Sequence, residues 1–389
     1  VYVKGDGKAG NVFYLPNGRK NAIAIGKAGL EADASIGVTY GGTITADADA
    51  TVATGANNGW QYGNITSDDT SYKVWQAGDD VKLTAASDLL YHPICGDTCT
   101  DGSNHSTEVW KGISDPTKIT SDGSYYLTGN VDLTSTWVCK YNVKLCLNGF
   151  TITGAPEYDV IKVDTDKSLD ITDCKKSSGK ITHASGDGHG IYVDGTLTLW
   201  NGVITGNNTS KYGGGVLVSS NGGFTMNGGE ITGNNASSYG GGVFVSSGGR
   251  FTMNGGEITK NNVSSDGEGG GVCIYVLSSS STKSKITVSG DAKITGNRKN
   301  NTEANNVYLG GTSTKTAATI TIGEGLTEQA QIGVNKSSTY LEKGTVFKIA
   351  TGVTGTMDYT KIFTSDVPDK YFITRDSEGS LYLGMHQHS

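Results

Sequence analysis

Proline is nearly absent from this chain: 5 residues in 389, against 58 glycines. That excludes a proline-rich linker, and without a Gly-X-Y period the glycine does not make a collagen. Charge is thin as well, with Lys, Arg, Asp and Glu at 18% and a net charge of −7. No basic stripe is left to meet a phosphate backbone, so nucleic acid is not an expected partner. Apolar residues reach only 35%, and no run approaches the ~18 residues that cross a bilayer, so membrane insertion is not expected. No apolar pattern holds a 3.6 period for three turns, which excludes a helical bundle. Ser, Thr, Asn and Gly fill the deficit and suit short strands joined by tight turns. The chain opens mid-pattern at Val1 and has no initiator Met or signal peptide. It reads as an excised piece of a longer protein, so targeting signals are not legible from it.

What is present is repetition. The stretch from Tyr212 to Ser238 is followed by a near copy from Tyr239 to Ser265, a period of 27. Within each copy apolar residues alternate in short runs, Val216 and Val218, then Phe224 and Met226, then Ile231, which is strand periodicity. Each copy reads as three short strands separated by Gly-Gly or Asn-Asn corners. Such a unit buries its inward residues only by stacking on others at ~4.8 Å, which predicts an all-β fold, a parallel β-helix or β-solenoid. Adding 27 gives the expected columns: Leu197, Phe224 and Phe251; Leu199, Met226 and Met253; Ile204, Ile231 and Ile258. Asn207, Asn234 and Asn261 recur at a corner where amides of successive coils can pair. The glycines at 213–215, 240–242 and 269–271 mark another corner, where positive φ or close backbone approach is expected. A phosphate loop would need a following helix, and none is predicted.

A longer repeat frames the first. Ile36 and Ile332 open matching Ile-Gly-Val triplets 296 apart, and Thr66 and Thr364 open matching Thr-Ser-Asp triplets 298 apart. Four segments are expected: 1–91, a β-rich cap closing a preceding tandem unit; 92–110, a His/Cys-rich inter-unit segment; 111–309, the β-helix; and 310–389, the next cap and the start of another inter-unit segment. The clearest coils run from about Tyr125 to about Leu309. The inter-unit segment carries His92, Cys95, Cys99 and His105, four N/S ligands for a tetrahedral metal such as a structural zinc. A Cys95–Cys99 disulfide and plain thiols are the alternatives. Cys146 and Cys174 lie about one coil apart, so they read either as a bridge between coils or as buried, inert thiols.

Candidate binding residues follow from where side chains face out. Glu230 and Glu257 fall on adjacent coils, ~5 Å apart, the carboxylate spacing of a retaining glycosidase. As repeat equivalents they share one environment, which favours a solvated column over an acid and a nucleophile of different pKa. Asp187, His189 and Asp194 form the only mixed cluster, either a site or a functionless polar turn. Trp200 is expected at an outward position. Tyr212 and Tyr239 beside the glycine corner either face a ligand or stack to seal the corner.

The repeat GGGVFVSSGGRFTMNGGEITKNN and the segment HPICGDTC…YYLTGNVDLTSTW…LCLNGFTIT resemble a set of surface-exposed right-handed parallel β-helix proteins of gut Firmicutes of the Lachnospiraceae type. The resemblance implies a secreted or wall-attached, multi-unit, adhesin-like protein, and for most members no activity is assigned. Some commensal surface proteins of this general kind bind host immunoglobulin. A non-enzymatic binding protein for a host glycoprotein or glycan is therefore expected, with a polysaccharide lyase or glycoside hydrolase as the rival and a passive stalk as the third reading.

Overall fold

The computed structural model describes residues 2–5, 8–15, 23–30, 34–41, 44, 49–55, 65–77, 79–85, 110–174, 178–276, 284–311, 318–335, 346–353 and 357–385. Among these the regular structure is nearly all strand, with one 3-10 turn at Pro116–Lys118 and no α-helix. Two compact units partition it. One comprises residues 1–128 with 141–146, the other 129–140 with 147–389.

In the second unit the expected alternation becomes long parallel sheets, an arrangement compatible with a β-solenoid. One runs through Ser168–Thr172, Thr196–Leu199, Gly223–Met226, Arg250–Met253, Lys285–Val288 and Ile320–Ile322. The 27-residue columns are register pairs there: Leu197 opposes Phe224 and Phe224 opposes Phe251, while Leu199, Met226 and Met253 align beside them. The column extends to Leu169 on one side and to Ile286 and Ile320 on the other. The rings of Phe224 and Phe251 stack 5.0 Å apart, interplanar angle 16°, and both are buried. A second parallel sheet carries Ile181, Ile204, Ile231, Ile258, Ile294 and Ile332 in one buried column.

Each repeat holds four strands rather than three. Asn208–Thr209, Asn235–Ala236 and Asn262–Val263 pair in parallel where the sequence suggested corners. The reason lies one residue earlier. Asn207, Asn234 and Asn261 are wholly buried, and each places its amide in the turn ahead. Asn207 Nδ2 donates to Asn234 Oδ1 at 2.9 Å, and Asn234 and Asn261 repeat the bond to Asn261 and Asn297 at 2.9 Å. The same Oδ1 atoms accept the preceding asparagine's backbone N–H at 3.0–3.1 Å. Their Nδ2 groups also donate to Ile181, Ile204 and Ile231 carbonyls. Only a side chain with two N–H donors and a carbonyl acceptor fills this position. With the corner fixed, the next two residues run extended and pair.

The ladder has two unlike ends. His183 Nδ1 lies 2.9 Å from Asn207 Oδ1, with its Nε2 2.6 Å from the Tyr158 carbonyl oxygen. At the other end Asn297 donates to Asn306 at 3.0 Å, and Asn306 gives its backbone N–H and Nδ2–H to the Asp366 carboxylate at 2.6 and 2.5 Å. Burial pushes the Asp366 carboxyl up to about 6, against the two Asn306 donors that favour its charge.

The glycine corner behaves as expected. Gly213, Gly240 and Gly269 take φ of 67°, 66° and 69°, and a Cβ on Gly215 would lie 2.6 Å from the Gly242 carbonyl oxygen. Cys139, Cys146, Cys174 and Cys273 take no part in disulfides, so the bridge between Cys146 and Cys174 is not formed. Cys146 is buried among apolar side chains, and Cys174 turns its sulfur to Asn148 Oδ1 at 3.4 Å.

Two outcomes follow from the ladder. Asn234→Ala is expected to cost roughly 2–4 kcal/mol, because it strands buried donors and acceptors on both neighbours. Asn235→Ala removes only an exposed amide bond to Asn208 and should stay within about 0.5 kcal/mol; urea unfolding of the two variants would show equal losses if the ladder carried no weight. Asp366 gives the second. An acid whose folded pKa exceeds the unfolded value of about 3.9 holds a proton that the unfolded chain has already lost. Its contribution is therefore favourable at low pH and is lost as pH rises from about 4 to about 6. Relative to Asp366→Asn, the wild-type chain should lose on the order of 2 kcal/mol across that window. A difference that is flat or rises with pH would contradict the assignment.

Candidate functional site

The outward residues of the 27-residue repeat gather on one open groove of about 390 Å³. Asn208, Asn235 and Asn262 form its floor, and Ser210, Ser237 and Ser264 stand one strand-step on, with Asp187 at one end. The floor is ordered by its own amides: Asn235 Nδ2 donates to Asn208 Oδ1 at 2.7 Å. Asp187 accepts the backbone N–H of Ser210 at 2.9 Å. The Ser210 hydroxyl and that amide together hold the Asp187 carboxyl below its ordinary value, so it is ionised at neutral pH. The groove is otherwise neutral and polar.

Two residues beyond Ser210 and Ser237 the chain enters the aromatic positions. The rings of Tyr212 and Tyr239 stack 5.7 Å apart at 22°, and Tyr212 stacks on Phe244 at 5.0 Å. Tyr239 continues to Tyr275 at 5.9 Å. Parallel bridges between Tyr212 and Tyr239, and between Tyr239 and Glu268, lock this spacing. The tyrosines stack on each other, as the corner-sealing reading expects, and Tyr212 keeps 38% of its surface exposed. The result is an aromatic ridge linked by the chain to the polar groove.

The structure divides the remaining candidates. Asp187 and His189 sense each other's charge but are held by separate partners, and Asp194 is held by a third. The His189 ring donates from Nδ1 to the Gly213 carbonyl at 3.0 Å, and its backbone N–H goes to Asp159. Burial pulls the His189 pKa down, with the Asp159 charge opposing. Asp194 instead faces Lys162 at 4.0 Å, which also meets Asp164 at 3.6 Å and lies over the Tyr192 ring. Glu230 and Glu257 are register partners as expected, but Glu257 pairs with Lys293 at 3.2 Å. The column is thus Val203, Glu230, Glu257 and Lys293, a mixed surface rather than a free carboxylate pair. Trp200 corrects its expectation of exposure. Its backbone amide donates to the Ile171 carbonyl at 2.8 Å, the residue is half-buried, and Nε1 is buried with no hydrogen-bond partner among the described residues.

His92, Cys95, Cys99 and His105 lie outside the described residues. Among the described residues no three His, Cys, Asp or Glu side chains gather as metal ligands. The groove's serines and second asparagines were not singled out from the sequence. Their signal was present, since Ser210, Ser237 and Ser264 recur at 27 like the core columns, but polar recurrence at an outward position looks like ordinary solvation.

No protein-family model, no curated protein and no solved structure matches this chain.

Proposed function

We propose that this chain is a non-enzymatic, surface-exposed or secreted binding protein whose right-handed parallel β-helix presents the Asn/Ser groove and tyrosine ridge to an extended, largely neutral glycan of a host glycoprotein. The handedness follows from the rule that parallel strands joined in one sheet cross over right-handed. The observation that carries the reading is the juxtaposition of a linear array of amides and hydroxyls with an exposed aromatic edge. The array repeats every ~4.8 Å along three successive coils, a spacing that an extended polysaccharide approaches. Sugar hydroxyls would exchange bonds with Asn208, Asn235 and Asn262, and a pyranose face would pack on Tyr212. Asp187 supplies one fixed acceptor at the end of the groove. The separate partners that hold Asp187, His189 and Asp194, and the ion pair at Glu257, favour binding over the carbohydrate-active rival.

The test is a glycan array, with host immunoglobulin and mucin alongside, probed with the whole chain and with Tyr212→Ala and Asn235→Ala. Binding to a neutral extended glycan is expected, weakened about tenfold or more by Tyr212→Ala, in keeping with loss of an aromatic anchor worth about 1–2 kcal/mol. Shortening of the bound glycan would favour the enzyme, and silence on every surface would favour the stalk.

A further inference from the structure

The described residues carry the same small sheet twice. In the first copy Ala50–Thr54, Asp80–Ala85 and Tyr72–Ala77 pair antiparallel, with Thr51 opposite Lys82 and Lys82 opposite Trp75. In the second, Val346–Thr351, Ser380–Met385 and Tyr371–Arg375 pair the same way, with Lys348 opposite Tyr382 and Tyr382 opposite Thr374. Both copies shift register at the same place, between Thr51 and Ala53 and between Lys348 and Ala350. Register therefore matches Thr51, Lys82 and Trp75 to Lys348, Tyr382 and Thr374, and Asp49 to Val346. Alternation puts each set on one face of its sheet.

In the first copy this face is covered, within the same compact unit, by the first coil after the cap: Lys111–Ile113 and Gly123–Leu127. Lys111 Nζ meets Asp49 at 2.7 Å, the two side chains each 8% exposed, and stands 5.7 Å from the Trp75 ring centre. Tyr125 packs edge-on against Trp75 at 5.6 Å, and Lys82 Nζ donates to Ser121 Oγ at 3.2 Å. Trp75 is left 1% exposed and Thr84 0%, while Lys73 stays out at the rim. In the second copy no described element covers the matching face, and Lys348, Thr374 and Tyr382 are partly exposed. Val346 is 58% and Phe372 41% exposed. The Phe372 ring lies across Gly384, where a Cβ would meet it at 2.7 Å, and Lys348 stands 5.4 Å from the Tyr382 ring centre.

We propose that the face made by Val346, Lys348, Phe372, Thr374 and Tyr382 is a docking surface for the leading coil of another β-helix module of this kind, seated as Lys111–Ile113 and Gly123–Leu127 are seated on the first cap. The occupant is argued from the chain itself, which shows one copy of this face already covered by such a coil. The substitutions also bear on its chemistry. Asp49 is matched by Val346 and Lys82 by Tyr382, so the second face has exchanged a buried carboxylate and a buried ammonium for apolar and aromatic surface. Its occupant presents apolar side chains where Lys111 stands in the first junction. This is independent of the glycan reading.

The experiment lengthens the whole chain, appending residues 94–389 with Lys111→Leu in the appended copy after Ser389, in register with the 296-residue spacing of His92 and His388. Val346→Cys in the first module is labelled with a maleimide and followed peptide by peptide, in the 389-residue chain and in the longer one. Labelling is expected to slow at least tenfold in the longer chain, while Tyr158→Cys, at a position 50% exposed, labels equally in both. Acylation of Lys348 in chains without the cysteine substitutions provides the same comparison: the Lys348 peptide, present twice in the longer chain, is expected to react in two phases there, half at the rate of the 389-residue chain and half at least tenfold slower. Equal rates at both Val346→Cys and Lys348 would overturn the proposal. So would protection in the 389-residue chain that grows with protein concentration, because the occupant would then be a second copy.

Discussion

Buried amides are costly in a protein interior unless every donor and acceptor finds a partner, and this chain runs a line of them through its repeats. Asn207, Asn234, Asn261 and Asn297 each hand an N–H to the next side-chain carbonyl, and their Nδ2 groups also meet two backbone carbonyls at Asn207, Asn234 and Asn297 and one at Asn261. The bond demands that successive repeats bring the same corner to the same place. An insertion inside a repeat is tolerated only where it leaves the corner in line. Between Asn261 and Asn297 the chain spends 36 residues instead of 27, yet the amide bond is 2.9 Å. By register, two of the nine extra residues come before Val272, six more between Val272 and Lys285, and one between Lys285 and Lys293.

From that constraint the outer surface follows. Because Asn207 and Asn234 hold the corners in register, Asn208 and Asn235 emerge one step later on the outside at the same spacing, and Ser210 and Ser237 after them. The tyrosines repeat for the same reason, brought into stacking by coils locked a few residues away. A flat, evenly spaced, neutral surface is a consequence of core register, and it suits a partner that is itself repetitive. The departures from repetition give the surface its direction: Asp187 stands at one end of the groove, and Lys293 meets Glu257 where the column changes sign.

Much of the all-β, parallel-sheet character was legible in the sequence, since period-2 alternation and a period of 27 name both the strands and their partners. The Phe, Met and Ile columns and the asparagine corner are read by addition alone. What escaped lies where addition fails. His183 and Asp366 end the ladder without being asparagines, so no recurrence points to them. The fourth strand was hidden because two residues carry no alternation. Trp200 looked exposed on its period, yet burial of an aromatic depends on neighbours that the period does not name. Asp187, His189 and Asp194 looked like a cluster because they are close in sequence, whereas each is held by a different partner: Asp187 by Ser210 and His189 by Gly213 on the following coil, Asp194 by Lys162. The junction between Asp49 and Lys111 spans 62 residues with no pattern linking them.

Exchange of side-chain amide protons, followed by NMR on chain labelled with ¹⁵N-asparagine, tests the central claim most directly. If the buried ladder holds the repeats together, the Nδ2 protons of Asn207, Asn234, Asn261 and Asn297 persist after those of the exposed Asn235 and Asn254 have exchanged, and they are lost together. Exchange of Asn234 at the rate of Asn235 would contradict it.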